Sequence, residues 1–345
     1  MRIRNKQYQL HQLAATETAL MSKQELHVVL GAGQVGPILA GKLTALGHRV
    51  RIISRSGTPK LPDAVEWARG DITDATFLNA ALQGASVVYH CANPMRYDRW
   101  EELLPPIARA VQTATTRAGA RLVVLDNLYM YGAPATGPIS EASPIAPQSR
   151  KGQLRARLAE ELSAAQARGD LHVSVGRASD FIGPNAARAA MFGPAFFESL
   201  ARGRAAYALG DPDQPHAYAY IPDVAEGLSL LGTRPTALGQ TWLLPHVWND
   251  SSRKLAQRLA ALSGREAKLW KVPSWLLHVG GLWNGELSAV PEMMYQWRVP
   301  FTVDDSRFRA AFGAKPTPVE QALTATLRAY GIEPQPTAAV TAPAV

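Results

Sequence analysis

Three glycines, Gly31, Gly33 and Gly36, follow the apolar run Leu26 to Leu30 in the order G-x-G-x-x-G. A turn of that spacing between a strand and a helix is suited to holding a diphosphate. Gly31 permits the tight turn, Gly33 lets the backbone approach the ligand, and Gly36 lets helix and strand pack closely. Free N–H groups in the first helical turn, with the positive end of the helix dipole behind them, then face the anion. With Gln34 and Val35 between the glycines, the turn is expected to seat the pyrophosphate of a dinucleotide. The pattern alone is short, and it gains weight from the strand before it and the helix after it.

The next apolar run, Arg49 to Ile53, ends on Ser54, Arg55 and Ser56 and offers no acid. A carboxylate at that place binds a ribose 2′-hydroxyl, whereas a guanidinium with two hydroxyls suits a 2′-phosphate. NADP(H) is therefore the expected cofactor in preference to NAD. After the third run comes Gly70-Asp71-Ile72-Thr73-Asp74. Asp71 and Ile72, at a strand's carboxyl end, are expected beside the adenine, and Asp74 or Thr73 is expected to cap the helix that follows.

Other chemistries find less support. Cys91 is the only cysteine among 345 residues, so no intrachain disulfide and no Cys-rich zinc site can form, which fits a reducing, cytoplasmic setting. The eight histidines show no metal-ligand spacing, no metal is expected, and no G-x-S-x-G elbow occurs. The net charge of +8 is spread among acids without a basic run, so nucleic acid is not an expected partner. A basic surface also attracts phosphorylated cofactors and acidic metabolites. Val272 to Trp283, interrupted by His278 and a glycine pair, is too short to span a bilayer and reads as a buried helix; no membrane partner is expected.

The elements that must position these residues follow from periodicity. Strands are expected at Leu26 to Leu30, Arg49 to Ile53, Val65 to Ala68, Ser86 to Tyr89, Arg121 to Leu125 and Leu171 to Gly176, and helices at Gln34 to Leu46, Asp74 to Leu82, Trp100 to Ala118 and Lys151 to Arg168. Strands separated by helices imply crossovers, hence an α/β fold: a doubly wound parallel-sheet Rossmann domain carrying a smaller, mostly helical C-terminal lobe. Residues 1–22 read as a flexible extension, 23–176 as the NAD(P)-binding domain, 177–331 as a substrate lobe partly interleaved with it, and 332–345 as a disordered tail.

Several further motifs stand in register with these elements: His90-Cys91-Ala92-Asn93 after the fourth strand, Tyr131-Gly132 after the fifth, Arg177-Ala-Ser179-Asp180-Phe-Ile-Gly-Pro184, Tyr218-Ala-Tyr-Ile-Pro-Asp223-Val, and Val303-Asp-Asp-Ser-Arg to Phe312-Gly313. Together with the glycine turn, they resemble the extended short-chain dehydrogenase/reductase superfamily, in its NAD-dependent epimerase/dehydratase group, from about Leu26 to Gly331. The resemblance places Cys91, Ala92, Asn93 and Ser179 near the cofactor. Asp180 stands where that family carries Asn.

The catalytic positions depart from the family. It places a Ser or Thr five residues before the Gly of Tyr-Gly, where this chain has Asn127, and a Tyr-x-x-x-Lys pair on the next helix, where alignment puts Lys151 and Arg155. The resemblance thus implies an atypical member. Lys151 could exchange a proton if burial and the Arg155 charge lowered its pKa, Arg155 could hold the ribose, Asn127 could donate to a carbonyl, and Tyr129 is the backup acid. Lys151 would also touch the cofactor. The leading expectation is an oxidoreductase or epimerase-like enzyme for a small carbonyl or alcohol substrate. The alternatives are a non-catalytic NADP(H) sensor like the NmrA-type regulators and a sugar-nucleotide epimerase or dehydratase. Homodimer pairing through the helices at Trp100 and Lys151 is a further implication of the resemblance.

Overall fold

The computed structural model describes residues 25–56, 61–94, 96–187, 190–273, 275–277, 283 and 285–335. The first part alternates β1 (Leu26–Leu30), α1 (Gly36–Ala45), β2 (Arg49–Ser54), β3 (Val65–Arg69), α2 (Ala75–Ala81), β4 (Ala85–His90), α3 (Trp100–Ala118), β5 (Arg121–Asp126), α4 (Arg150–Ala167) and β6 (His172–Arg177). The second part contains β7 (Asp180–Ile182), α5 (Pro194–Ala201), β8 (Ala205–Ala208), β9 (Tyr218–Tyr220), α6 (Ile221–Thr233), β10 (Thr241–Leu243), α7 (Ser252–Ser263), β11 (Lys268–Lys271), a single helical turn, α8 (Gly285–Ser288), and α9 (Ser306–Phe312) and α10 (Val319–Ala329).

Seven parallel strands form the central sheet in the order β10-β6-β5-β4-β1-β2-β3. Strands covered on both faces need apolar residues at successive positions, and all five residues of β1 are buried. Leu39 and Leu43 of α1 pack with Val224 and Leu228 of α6 on one face; Leu78 of α2, Val111 of α3 and Leu162 of α4 pack on the other. The lobe has its own core, in which Phe192, Phe196 and Phe197 meet Leu255, Leu259, Leu323 and Leu327.

Local chemistry sets the helix starts. Asp74 Oδ1 accepts from the backbone N–H groups of Thr76 and Phe77 at 2.9 and 3.1 Å, so Asp74 is the cap of α2. Ser149 caps α4 by accepting from Gly152 N–H. At α1 the capping residue is Val35, which has no side-chain hydrogen bond to give, and Pro37 occupies the first turn.

The sheet takes its last strand, β10, and its covering helix, α6, from the residues after 177, where the lobe was expected to interleave with the domain. Residues 332–335, expected in the tail, contact the fold: Ile332 is buried and Gln335 N–H donates to Leu262 C=O at 2.7 Å. Residues 336–345 and the extension 1–22 lie outside the described residues. So does much of the expected buried helix at 272–283, and in its described part Trp275, Leu276 and Trp283 are exposed while Leu277 is buried. Three described residues of that run are thus at the surface, where a buried helix would have enclosed them. Among the described residues no helix is long and apolar enough to cross a membrane.

Candidate active site

The glycine turn leaves β1 with Gly31 at φ +105°, a conformation that side chains disfavour. A Cβ on Gly36 would lie 1.9 Å from Gly31 C=O, and one on Gly31 would lie 2.9 Å from the Ala92 backbone; a Cβ on Gly33 would meet nothing within 4 Å. Two glycines therefore permit close packing, and the third faces open space. This opening fits a diphosphate approaching the uncapped first turn of α1. Gln34 ties the turn to the rest of the site, its Oε1 accepting from Ala187 N–H at 2.6 Å.

At the adenosine side, Ser54 Oγ donates to Ser56 C=O and accepts from Trp67 Nε1, while Arg55 lies exposed with its guanidinium 4.0 Å from Asp71. Asp71 Oδ1 is occupied by Thr73, through its N–H at 2.9 Å and its hydroxyl at 2.8 Å, and these bonds hold the carboxyl below the usual range. Ile72 is half-buried beside it.

From the glycine turn a cleft of about 330 Å³ runs over the carboxyl ends of β4 and β5. Gln34, Val35, Cys91, Ala92, Asn93, Asn127, Tyr129, Arg155, Ser179 and Asp180 line it, together with Tyr97 and Trp100. Most of the expected residues are thus brought together. Asn127 Oδ1 accepts from Tyr129 N–H at 3.1 Å, which leaves its amide N–H groups for the cleft. Arg155 reaches Asn93 Oδ1 at 2.8 Å and Asp126 at 3.3 Å, with its guanidinium 4.6 Å from the Trp100 ring centre. Asp126 is also 3.4 Å from Arg177, so one buried carboxylate answers two arginines. Asp126 and Arg155 together partition the cleft from a smaller cavity of about 130 Å³ between the sheet and α3 and α4.

Lys151 is placed differently from the expectation. Its side chain is 5% exposed, its Nζ lies 2.5 Å from Glu292 Oε1, and it sits 4.6 Å from the Tyr97 ring centre. It does not line the cleft. The expected repulsion between Lys151 and Arg155 is offset by a separate carboxylate at each cation, Glu292 and Asp126.

Sequence reasoning missed Tyr97. Its hydroxyl bonds to that of Tyr129, and Tyr97, Trp100 and Tyr129 form one aromatic wall. Burial pushes Tyr129 up to about 12 and raises Tyr97 as well, so both phenols are held protonated. Burial also pushes the Cys91 thiol up to about 12, in keeping with a small lining residue. Tyr131 packs, with its hydroxyl accepting from Arg177 at 2.7 Å.

Other motif residues have structural partners. Asp223 accepts from Thr317 N–H and hydroxyl, and Asp305 accepts from His246 N–H. At the opposite end of β1, Glu25, His27 and His48 come within 4.8 Å of one another, a cluster invisible in their spacing. There His27 already bonds Tyr89 and Glu25, and Arg121 lies 3.8 Å from Glu25.

Comparison with known proteins agrees with this architecture. Solved structures of similar fold include a dTDP-glucose 4,6-dehydratase from Streptomyces venezuelae with NAD and DAU bound (TM-score 0.72, 18% identity, 89% of this chain and 97% of that one). Another is a UDP-glucuronic acid 4-epimerase from Bacillus cereus in complex with UDP-glucuronic acid and NAD (TM-score 0.72, 19% identity, 89% and 99%). The epimerase Mth375 from Methanothermobacter thermautotrophicus superposes similarly (TM-score 0.74, 19% identity, 90% and 93%). A stretch of 65 residues is 40% identical to the uncharacterized protein Rv2047c of Mycobacterium tuberculosis; it is 19% of this chain and spans only 8% of that relative's length. The model of the NAD dependent epimerase/dehydratase family matches residues 27–249, and the chain belongs to that family.

Proposed function

We propose that this chain is a nicotinamide-dinucleotide-dependent oxidoreductase or epimerase-like enzyme for a small carbonyl or alcohol substrate, with NADP(H) preferred over NAD. The observation that carries this reading is the single cleft shared by the end of the glycine turn and by Asn127, Tyr129 and Arg155. The dinucleotide, seated on Gly31 to Gly36, would supply or accept the hydride. The preference for NADP(H) rests on Arg55 and Ser54 standing at the end of β2 without an acid.

The chain's own residues divide the remaining work. The Asn127 amide and the hydroxyl of Tyr129, which itself accepts from Tyr97, donate hydrogen bonds to a substrate oxygen that gains negative charge. With their pKa values raised, the phenols serve as donors rather than proton exchangers near neutral pH. Arg155, itself held by Asn93 and Asp126, would hold the cofactor ribose. Lys151, lying behind Tyr97, fixes that ring's position rather than reacting.

A sugar nucleotide is the second substrate reading, favoured by the epimerase and dehydratase of like fold crystallised with NAD. A non-catalytic NADP(H) sensor is the third, favoured by the commitment of Lys151 to Glu292. Calorimetric titration of the full chain with NADPH, NADP⁺, NADH and NAD⁺, followed by nucleotide turnover on panels of small aldehydes and UDP-sugars, separates the three. Indifference to all four nucleotides would sink every one of them.

A further inference from the structure

The phenols of the cleft are held protonated, so the proposed chemistry lacks a proton exchanger. The floor of the cleft offers one. Asp180, whose side chain is 31% exposed, points its Oδ2 at Nε2 of the fully buried His216, 2.9 Å away. The other ring nitrogen, Nδ1, lies 3.1 Å from the backbone carbonyl of Gln296. A carbonyl oxygen only accepts, so Nδ1 carries a hydrogen. A bare Nδ1 would set its lone pair against a carbonyl oxygen in a buried site, leaving both without a hydrogen bond. With Nδ1 protonated, the short contact between Nε2 and a carboxyl oxygen requires a second proton on that axis, borne by either atom.

The ring cannot easily escape this arrangement. His216 is stacked on Trp297 at 5.1 Å between centres, also stacks on Phe301, and borders Tyr218. The titratable groups facing the pair are Tyr97 and Tyr129 across the cleft, Tyr218 on β9, Tyr295, and His246 behind Ser179. The four tyrosines are raised by burial, and His246 is pushed down to about 3, so each stays neutral around pH 7. Arg155, the cation lining the cleft, is already engaged by Asp126 and Asn93.

We propose that the Asp180–His216 pair stores a dissociable proton at the floor of the cleft, and that Asp180 is the catalytic acid and base of the reaction proposed above, with His216 as its positioning residue. The second half of this inference rests on that reading of the function; the first does not. In the reducing direction, the substrate oxygen takes the pair's proton as the carbonyl carbon receives a hydride equivalent from the reduced nucleotide. The products are an alcohol and the oxidised nucleotide, and the pair regains its proton from water. Oxidation of an alcohol runs the same transfers backward.

The test counts protons in the full chain carrying ¹³C,¹⁵N-labelled histidine and aspartate. His216 is assigned by its disappearance in His216→Gln. At pH 7 the wild type is expected to show Nδ1–H together with a second proton on the Asp180 axis, seen as Nε2–H or as the carboxyl shift of a protonated Asp180. Asp180→Asn should leave Nδ1–H alone, because the new amide then donates to Nε2. A wild-type spectrum with a bare Nδ1, or with one proton and an ionised Asp180, overturns the proposal. If Asp180→Asn fails to fold, the wild-type count decides by itself.

The same variant should retain NADPH affinity within about twofold and lose roughly 10²-fold in kcat on whichever aldehyde or UDP-sugar the wild type turns over. His216→Gln should shift the pH profile of kcat/KM while Asp180 remains. Unchanged turnover in Asp180→Asn removes its catalytic role. Failure of the wild type to bind any nucleotide removes the proposed function and leaves the proton count standing, whereas a wrong count beside tight nucleotide binding removes only the pair.

Discussion

The ammonium of Lys151 and the carboxylate of Glu292, 141 positions apart in the chain, meet at 2.5 Å with Lys151 almost shut off from solvent. The contact joins α4 to the segment Pro291–Trp297 of the second part, where Glu292 also accepts from Arg150 N–H. A cation buried this deeply is tolerable only with its partner in place.

Lys151→Met is therefore expected to lower stability by about 3 kcal/mol, because it strands Glu292 in the wall. Lys151→Met with Glu292→Leu should recover most of that loss. Urea denaturation of the two single variants and the double variant, read as a double-mutant cycle, checks both statements; additive losses would show that the two residues are not coupled.

The three glycines of the turn should separate by phenotype. Gly33→Val places its side chain in open space, so the fold should survive and nucleotide affinity should fall at least tenfold. Gly36→Val drives a Cβ to 1.9 Å from a carbonyl oxygen and should lower Tm before ligand is considered. Calorimetry and thermal melts on the two variants give the comparison, and equal melting losses would contradict the packing described.

Arg55→Ala should weaken NADPH by about tenfold or more, the worth of a charge-assisted contact to phosphate, and NADH by much less. Side-by-side titrations decide it. Equal loss for both would place Arg55 outside the 2′ position.

Acid should destabilise the protein from about pH 6.5 downward. Burial pushes His27 and His90 down to about 4 and His246 to about 3, against an ordinary 6.5. Between these values and 6.5 the unfolded chain binds protons that the folded chain refuses, so stability rises with pH across that window. The stability from these groups is complete above 6.5 and drains away as pH falls toward 4. Asp223 and Asp305, raised by burial, act in the opposite sense just above the ordinary carboxylate range. Urea midpoints measured at successive pH values should fall through this interval, with His246→Gln flattening the slope.

Much of the first half was legible from the chain alone, because hydrophobic period and glycine spacing are local signals. β1 and α3 lie at the expected residues, and the other five expected strands and three helices deviate by at most two positions at an end. Gly31, Gly33 and Gly36 announce their turn because backbone geometry requires those residue types there. The second part was less legible. β10 is three residues long, Thr241–Leu243, and three residues carry no period; only its pairing with β6 makes it a strand.

Within the site, Asn127 and Arg155 were indicated by the family resemblance, which aligns them with the Ser or Thr and with the Lys of its catalytic pattern. Tyr97 was not, because it opens a three-residue 3₁₀ turn ahead of α3, too short to carry a period, and joins the site only by meeting Tyr129. The same alignment put Lys151 at the Tyr position on α4, but could not reveal Glu292 arriving from 141 residues further along the chain. His216 and Asp180 are 36 residues apart on separate segments, and their contact exists because β7 and β9 pair. The elements and the turn can be read along the chain, because their energetics lie within a few consecutive residues. Which charges are answered and which side chains face the cleft follows from the folded contacts, because those depend on distances between segments that no local pattern encodes.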